Sequence, residues 1–317
     1  MTLGEAEMSL RPDVAVPDPE SLFEQPGSVW RIAARRFFQR KVGIAGLILV
    51  CFMILVAIFA PLIAPYDPYQ NFIGVEGAER WAPPCINAFG CEGPQHIFGL
   101  DGNVRDFFSR VVYAARVSLP LGFTTVLITI VIGTVIGAIA GYAGGWSDNV
   151  LMRIMDVVLG FPSLILAIAI VFVLGPGLRN TLLAIAIVTI PQYARVMRAS
   201  VLSVKEVDYV WASRALGASP WKVLVTRVVP NALTPLVVLG TLGIATVILE
   251  AAALGFLGLG AVPPTPEWGS MLAAERDRIF TAPHLMIFPG LAIMITVLGF
   301  NLMGDGLRDA LDPTLNK

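Results

Sequence analysis

The side chains of this sequence that could perform acid–base, nucleophilic or metal chemistry are few and scattered. The sequence contains two histidines, His96 and His284, which lie far apart in the chain. A serine hydrolase needs a base beside its nucleophile, and a zinc site of the HExxH type needs two histidines on one helix. The GxxxxGK[ST] loop and GxGxxG turn that bind nucleotide phosphates are also missing from the sequence. The residues therefore predict no catalytic or metal site in this chain.

The cysteines offer one potential pair. Cys85 and Cys91 lie in a polar stretch, whereas Cys51 lies in an apolar run. An isolated CxxxxxC motif is a weak signal, and it leaves a disulfide, two free thiols and a metal-binding pair as alternatives. A disulfide is favoured if the stretch faces an oxidising compartment, where such bridges persist.

The composition is that of a membrane protein. Of the 317 residues, 56% are hydrophobic and 14% are charged, and the mean hydropathy is +0.75. Soluble domains average about 45–50% apolar and about 25% charged residues. The net charge of −1 provides no basic field for nucleic acid. We therefore expect an all-α integral membrane protein in contact with the lipid bilayer and without a nucleic-acid partner.

Six apolar runs are long enough, or nearly so, to cross a bilayer as helices, which takes about 20 residues. The predicted transmembrane helices are 42–64, 118–142, 150–174, 181–197, 232–256 and 285–304. The fourth is short and interrupted by Pro191. Two connecting segments, 65–117 and 198–231, are much longer than simple connectors, and loops of that length are usually functional.

The two ends of the chain differ from this apolar core, which spans 118–304 after the first helix. Residues 1–27 are polar, acidic and proline-bearing, which predicts a disordered tail. Residues 28–41 place aromatic side chains on one side of a helix and arginines mostly on the other, the pattern of an amphipathic helix in the headgroup layer. An extension of the first transmembrane helix is the alternative. Residues 305–317 form a C-terminal tail.

The basic residues predict the orientation. If the N-terminus is inside, 15 of the 22 lysines and arginines face the cytosol and 7 face outward, in accord with the positive-inside rule. The outer ones are Arg80, Arg105, Arg110, Arg116, Arg179, Arg276 and Arg278. An even number of spans then gives two cytosolic termini, an extracytoplasmic loop at 65–117 and a cytosolic loop at 198–231.

The cytosolic loop contains the signals of two short helices joined by a tight turn. Residues 203–206 fit an S-x-x-E capping box, so we expect a helix that starts near Val204. Gly217 supplies a left-handed stop for this helix. Residues 219–220, Ser-Pro, then suit the N-cap and first turn of a second helix that reaches Pro230.

This helix-turn-helix has three interpretations. DNA binding is disfavoured because the loop lies between two predicted transmembrane helices and carries little net charge. A purely structural amphipathic hairpin and an element that docks on a cytosolic partner both fit the pattern. A docking element of this kind would transmit the movement of its partner to the spans as a rigid lever.

One stretch of the loop resembles a known motif. Residues 211–217 read WASRALG and are followed, 13 residues after the glycine, by Pro230. They resemble the EAA loop of binding-protein-dependent ABC importer permeases, in which EAA precedes a glycine and a more distant Leu-Pro. Ala212, Gly217 and Pro230 match this motif. Trp211 stands where the family usually has glutamate, and Ser213 replaces the second alanine.

The resemblance implies that this loop contacts the ATPase subunits of an importer. The ATPase-coupling residues that it implies are Glu206, Asp208, Tyr209, Trp211, Ala212, Ser213, Arg214, Ala215, Leu216, Gly217, Ala218 and Ser219. Because Trp211 replaces an acid, one electrostatic contact with the ATPase is expected to be absent.

Four further segments extend the likeness over roughly residues 30–315 and narrow it to the dipeptide, oligopeptide and nickel permease branch. They read FGLDGNVRDFFSRVVYAARVSL, AGYAGGWSDNVLMRIMDVVLGFPSLILAI, LGFLGLGAVPPTPEWGSML and NLMGDGLRDALDP. In the first segment, Val104 replaces a glycine that is usual in the family, so we expect this loop to bend differently.

The resemblance implies the C-type permease subunit of a type I ABC importer, with six transmembrane helices, in the bacterial inner membrane. The implied partners are a second homologous permease, two ATPase subunits and an extracytoplasmic substrate-binding protein. ATP and Mg would be bound by the ATPases, so the chain itself would be no enzyme and would hold no cofactor. Dipeptides, longer peptides, glutathione and nickel chelates all stay open as substrates. A stand-alone secondary transporter or channel is the alternative function.

Polar residues inside the predicted spans are costly and normally face protein or water. Glu250 and Asn301 are therefore candidates for the translocation path, and hydrogen bonding to neighbouring helices is the alternative for Glu250. Asp156 lies three residues after Arg153, which predicts an ion pair along one helix. Glycines at every fourth position of the span 118–142 predict close helix packing.

Overall fold

The computed structural model describes residues 34–86, 90–91 and 95–311. These residues are mostly helical and contain three isolated β-bridges but no named strand. The helices are α1 Lys41–Ile58, α2 Ala60–Ile63, α3 Phe107–Ala143, α4 Gly145–Leu159, α5 Ser163–Leu174, α6 Leu178–Val204, α7 Asp208–Ala215, α8 Pro220–Val223, α9 Val229–Ala232, α10 Thr234–Phe256, α11 Trp268–Glu275 and α12 His284–Leu311. A π-helical turn, Leu224–Val228, joins α8 to α9, and a 3₁₀ turn, Arg276–Arg278, follows α11.

Helices α3 and α6 pack closely along the glycine stripe of α3. A side chain at Gly137 would overlap the carbonyl oxygen of Ala194, and a side chain at Gly133 would lie 2.7 Å from Cβ of Tyr193. Gly141 approaches the backbone of α6 in the same way. The prediction that these glycines serve helix packing is confirmed, because only a residue without Cβ permits this approach.

Helix α6 is longer and more regular than predicted. The expected span 181–197, interrupted by Pro191, is in fact one continuous helix of 27 residues with that proline inside it. Pro191 is buried among the neighbouring helices, a setting in which a membrane helix tolerates a proline. The predicted interruption is therefore wrong.

The third predicted span, 150–174, is not one continuous helix. It consists of two helices, α4 and α5, whose axes differ by 90° across a short break. Pro162 explains the break, because a proline disfavours the helical conformation of the residue before it, here Phe161. Five helices of the described residues are long and apolar enough to cross a membrane, or six if this bent pair forms one span.

The other predicted boundaries shift by up to eleven residues. The first span, 42–64, is divided between α1 and α2 at Phe59, and α3 begins eleven residues before position 118. The last helix continues past 304 to Leu311, so the start of the predicted tail is helical. Of the predicted interfacial helix 28–41, residues 34–37 are helical. The remainder up to 33, the tail 1–27 and residues 312–317 lie outside the described part.

The bundle has two dissimilar ends, which we call the loop face and the cap face. The loop face carries residues 205–233, and the cap face carries the described residues 65–86, 90–91, 95–106 and 258–283. Helix α3 connects them: Asp106 caps its first turn, and Lys205 donates to the carbonyl of Gly141 near its last turn at 3.0 Å. At 1.5 Å per residue, the 37 residues of α3 separate the two faces by about 55 Å.

Candidate coupling site

The first helix of the loop face starts later than its sequence suggests. Residues 203–206 form no capping box, because α6 continues to Val204 and α7 begins at Asp208. The N-cap of α7 is Val207, which makes no side-chain capping bond. Val201 and Val204 pack in the apolar cluster of this face. This packing favours propagation of α6 through the predicted cap.

The turn after α7 has the geometry predicted from its glycine. Gly217 has φ +82°, and its N–H donates to the carbonyl of Arg214 at 2.9 Å. The N–H of Ala218 donates to the carbonyl of Ser213 at 3.1 Å. These two bonds define a Schellman motif. The predicted left-handed stop is confirmed, and it fixes the direction of the chain that follows.

The second arm of the loop is helical from Pro220 to Ala232. Ser219 is its N-cap residue in extended conformation, and Pro220 occupies the first helical position. The predicted helix to Pro230 is confirmed, with a π-helical turn, Leu224–Val228, inside it.

The loop is anchored to the bundle by apolar side chains. Val210 of α7 is completely buried. The buried residues of this cluster are Ala138, Met197, Val201, Val210, Val223, Leu224, Val228, Ala232 and Leu236. The cluster therefore joins both arms of the loop to α3, α6 and α10. At about 1.5–3 kcal/mol for each large buried apolar side chain, this contact makes the loop part of the rigid bundle.

The opposite side of the loop is exposed and unusually apolar. Leu216 at the tip is 89% exposed, Trp221 is 69% exposed and Trp211 is 51% exposed. The guanidinium of Arg214 lies 5.2 Å from the ring centroid of Trp211 and 5.2 Å from that of Tyr142. This double cation–π contact ties Trp211, at the position where the family has glutamate, to the end of α3.

Most of the predicted coupling residues share this exposed side. Those that are exposed are Glu206, Asp208, Tyr209, Trp211, Ala212, Ala215, Leu216, Gly217 and Ser219, and those that are half-buried are Ser213, Arg214 and Ala218. The buried anchor Val210 and the exposed Trp221 were not among the predicted coupling residues. Val210 stands between two aromatic residues in the sequence and carries no clear local signal, whereas a tryptophan directly after the Ser-Pro helix start was the signal for Trp221.

The two candidate path residues are not joined to each other by a hydrogen bond in the described structure. Glu250 on α10 accepts a hydrogen bond from the hydroxyl of Ser163 at 3.2 Å, directly after the break between α4 and α5. Its second carboxylate oxygen is buried and has no partner among the described protein atoms. Asn301 is exposed on the surface of α12.

The predicted ion pair within α4 is wrong. Asp156 pairs with Arg195 of α6 at 2.6 Å rather than with Arg153. Asp148 forms a second, bidentate pair with Arg198 of α6. Asp156 pairs with the facing helix because α4 lies against α6. The local spacing of charges in the sequence does not reveal this contact. These two pairs tie α4 to α6 near the loop face.

On the cap face, a buried carboxylate organises the loop before α3. Asp101, 2% exposed, accepts from the backbone N–H groups of Asn103 and Arg105, both at 2.9 Å. Its other oxygen accepts from the side chain of Arg105 at 2.8 Å and faces Arg110 at 3.3 Å. Val104 adopts φ +58°, a left-handed conformation suited to glycine. Val104 thus adopts a backbone conformation that a glycine adopts readily, and the expected difference in bend stays a prediction.

The hydrogen-bond network around Asp101, which we call the hub, joins three separate segments of the cap face. Arg110 donates to the carbonyls of Pro68 and Pro264 at 3.0 and 3.3 Å. Glu275 accepts from the backbone of Gly102 at 3.0 Å and from the indole of Trp81 at 2.9 Å. Burial raises the pKa of Glu275, and the two donors oppose that rise by favouring the ionised carboxylate.

The cysteine pair lies beside this hub. Cys85 and Cys91 are joined by a disulfide with Cα atoms 5.5 Å apart. Cys85 also forms a β-bridge with His96, whose Nδ1 lies 2.8 Å from a carboxylate oxygen of Asp106. Within the described ranges, no group of three or more histidine, cysteine, aspartate or glutamate side chains could hold a metal ion.

The fold is similar to that of a solved membrane transporter. It is similar to that of the inward-facing MetNI methionine ABC transporter, with a TM-score of 0.53 and 20% sequence identity, over 64% of this chain and 96% of that one. A second crystal form of the same transporter aligns equally well, with a TM-score of 0.53. At this identity the likeness concerns the fold alone.

Sequence comparisons identify the family. Residues 133–317 match the family described as binding-protein-dependent transport system inner membrane component, and residues 28–84 match the N-terminal transmembrane domain of oligopeptide transport permease C. The dipeptide transport system permease protein DppC of Alkalihalophilus pseudofirmus is 44% identical over 99% of both chains. The di/tripeptide permease DppC of Pseudomonas aeruginosa is 43% identical over 94% of this chain and 95% of its own. The glutathione permease GsiD of Shigella flexneri is 45% identical over 92% and 93%.

The chain belongs to the binding-protein-dependent transport system inner membrane components. It is a multi-pass permease subunit of an ABC importer in the inner membrane, and ATP hydrolysis takes place in a separate subunit. This membership confirms the predicted family and disfavours the stand-alone transporter or channel. Importers of this family also work with a substrate-binding protein.

Proposed function

We propose that the chain pairs with a second homologous permease to import di- and tripeptides or peptide-like solutes such as glutathione. The similar permeases transport dipeptides, di- and tripeptides or glutathione according to their names, which supports this substrate class. Two ATPase subunits would bind ATP and Mg beneath the pair. An extracytoplasmic binding protein would deliver the substrate from the other side.

The main support for the proposal is that the loop face has one side buried in the bundle and the other exposed to solvent. Val210 is buried in the bundle, whereas Leu216 and Trp221 project from the same element into solvent. The Schellman turn at Gly217 holds the exposed tip in a fixed relation to the buried anchor. The element is therefore suited to fill an apolar groove on an ATPase and to pass its displacement to α3, α6 and α10.

The proposed mechanism is alternating access. ATP binding closes the two ATPases, and their movement reaches the spans through 204–220, so that the paired permeases open outward. Hydrolysis returns the pair to the inward-facing state. A nucleotide can shift this equilibrium only through a difference in affinity between the two states, so the loop must contact the ATPase differently in each.

The proposed orientation puts the loop face in the cytosol and the cap face outside. The sequence segments predicted to be cytosolic carry 15 of the 22 lysines and arginines, which supports this assignment. Both termini are then cytosolic, and the segment 65–106 faces the substrate-binding protein. A disulfide between Cys85 and Cys91 agrees with exposure of this face to an oxidising compartment.

We also assign Glu250 and Asn301 to the translocation path. Glu250 has one carboxylate oxygen on Ser163 and the other free of protein partners, at the break between α4 and α5. A carboxylate at this position can attract the ammonium group of a peptide. Asn301 is exposed on α12, where an amide can offer both a donor and an acceptor.

The test is transport by the complete complex in proteoliposomes. We expect uptake of a labelled dipeptide or of glutathione that requires ATP, both ATPases and the binding protein. Leu216→Asp should uncouple ATP hydrolysis from uptake, because it puts a charge in the apolar contact. Phe280→Asp, on the exposed cap face, serves as the control for the coupling step. Uptake that continues without the ATPases would contradict the proposal.

A further inference from the structure

A groove of about 480 Å³ lies between α1 and α3 near the cap face. Its lining consists of Ile54, Ala57, Ile58, Arg116, Leu119, Pro120 and Phe123. Six of these seven side chains are apolar, and the ring of Phe123 is held by a T-shaped contact with Phe300 at 5.5 Å. The groove therefore has the size and the surface of a site for hydrocarbon.

The charged residue of this groove lies at the level where a bilayer ends. Arg116 immediately precedes the apolar run 118–142, and it faces the last turns of α1, which ends at Ile58. Its side chain is exposed, and no carboxylate of the described residues pairs with it. Its guanidinium lies 5.8 Å from the ring centroid of Tyr113. A cation in this position is available to a negatively charged headgroup.

A proline adds a second polar feature to the mouth of the groove. Pro120 lies inside α3 and has no N–H, so the carbonyl of Arg116, four residues earlier, lacks its regular intrahelical donor. The carbonyl of Pro120 itself accepts from the hydroxyl of Thr124 at 2.6 Å. The mouth thus combines a guanidinium donor with a carbonyl that can accept a hydrogen bond from a ligand.

We infer that this groove binds an anionic phospholipid with a glycerol headgroup, in the leaflet on the side of the cap face. The lipid phosphate accepts from the guanidinium of Arg116, and a headgroup hydroxyl donates to the carbonyl of the same residue. One acyl chain lies in the apolar groove between α1 and α3. The inference is independent of the transported substrate and of the coupling loop.

A zwitterionic phospholipid or a helix of another subunit would fill the groove for different reasons. The ammonium of phosphatidylethanolamine meets the positive charge of Arg116, so the charge favours the anionic lipid. A helix from a second permease would leave the guanidinium without a counter-charge unless it supplied a carboxylate. These occupants are separated by lipid type and by the integrity of the complex.

The experiment uses the full transporter, purified with its partner subunits, delipidated in detergent and analysed by native mass spectrometry after addition of lipid. We expect one phosphatidylglycerol to bind at least about tenfold more tightly than phosphatidylethanolamine, because its headgroup keeps a net negative charge beside Arg116, whereas the ammonium of phosphatidylethanolamine is repelled. Arg116→Gln should abolish this preference, and Arg116→Lys should retain most of it. Arg179→Gln, at another exposed arginine of the same side, should leave it unchanged.

Ala57→Trp provides an independent variant, because it fills the groove without changing any charge. We expect it to displace the phosphatidylglycerol and to leave the subunits assembled. Equal binding of the two lipids, or unchanged phosphatidylglycerol binding in Arg116→Gln, would overturn the inference. Loss of another subunit from the Ala57→Trp complex would also overturn it, because the groove would then be a protein interface.

Discussion

The two ends of the bundle are stabilised by different kinds of interaction. The cap face is joined by buried charges and hydrogen bonds, with Asp101, Arg110 and Glu275 connecting segments that are far apart in the chain. The loop face is held by apolar contacts around Val210 and shows an apolar tip at Leu216. Directional bonds specify one geometry, whereas apolar packing is non-directional.

This difference indicates which end of the bundle moves against a partner. A network of buried charges tolerates little displacement, because each broken bond leaves an unsatisfied polar group. The loop-face element can shift as a unit with the helices that it contacts, since its exposed side makes few bonds to the rest of the chain. We therefore expect changes at the cap face to affect stability and changes at the loop tip to affect coupling.

The largest expected effect is that of Asp101→Asn. The substitution leaves Arg105 and Arg110 without their buried counter-charge, and breaking such a pair costs about 3–5 kcal/mol in free energy of unfolding. Denaturation of the purified complex in detergent, followed by near-ultraviolet circular dichroism, measures this loss. Asp277→Asn is the matched control, because its side chain is 92% exposed. Equal stability of the two variants would remove the distinction between the faces.

A smaller effect is expected from removal of the disulfide. Changing both Cys85 and Cys91 to serine should lower the free energy of unfolding by about 2 kcal/mol, the amount expected when a bridge closes a short loop. The ratio of solute uptake to ATP hydrolysis per folded complex should stay unchanged, because the bridge lies on the cap face and not in the coupling loop. Mass spectrometry of nonreduced peptides provides the direct check, and detection of two free thiols would refute the bridge.

Of these variants, Gly217→Val should change the free energy of unfolding least. It should nevertheless change ATP-coupled uptake strongly. A β-branched residue at φ +82° costs about 1–2 kcal/mol of backbone strain, and nothing buried is lost. We expect ATP-coupled uptake to fall at least about tenfold, because the tip changes direction relative to its anchor. Gly217→Asn should retain most of the uptake, since asparagine tolerates the left-handed region.

If Gly217→Val assembled normally and retained full uptake, the turn would have no role in coupling. If uptake fell equally in Gly217→Val and Gly217→Asn, the effect would come from the loss of glycine itself rather than from the conformation of the turn. Immunoblots of the purified complex establish in each case that the ATPases are still bound.

Much of this architecture was readable from the sequence. Apolar runs predicted the helices, and Gly217 followed by Ser219-Pro220 predicted the turn of the loop face. The glycine stripe at Gly133 and Gly137 predicted close packing in α3. These features depend on local chemistry, namely burial of apolar runs, the left-handed region and the approach of small residues.

The features that were not readable depend on contacts between distant residues. Asp156 pairs across helices with Arg195, and Glu275 bonds Gly102, 173 positions away. No local spacing contains such partners. Val104 takes the conformation of a glycine because Asp101 and Arg105 hold both sides of its loop, so the surrounding structure overrides the preference of the residue.

The most direct test of the account is cross-linking from the loop tip to the ATPase. Leu216→Cys, in a Cys51→Ser background, places a reactive thiol at the tip, and Phe280→Cys places one on the cap face, where the native side chain is 95% exposed. We expect cross-links to the ATPase from position 216 and not from position 280, with a yield that changes when ATP is bound. An absence of such cross-links in a complex with full ATP-driven uptake, or cross-links to the ATPase from position 280, would contradict it.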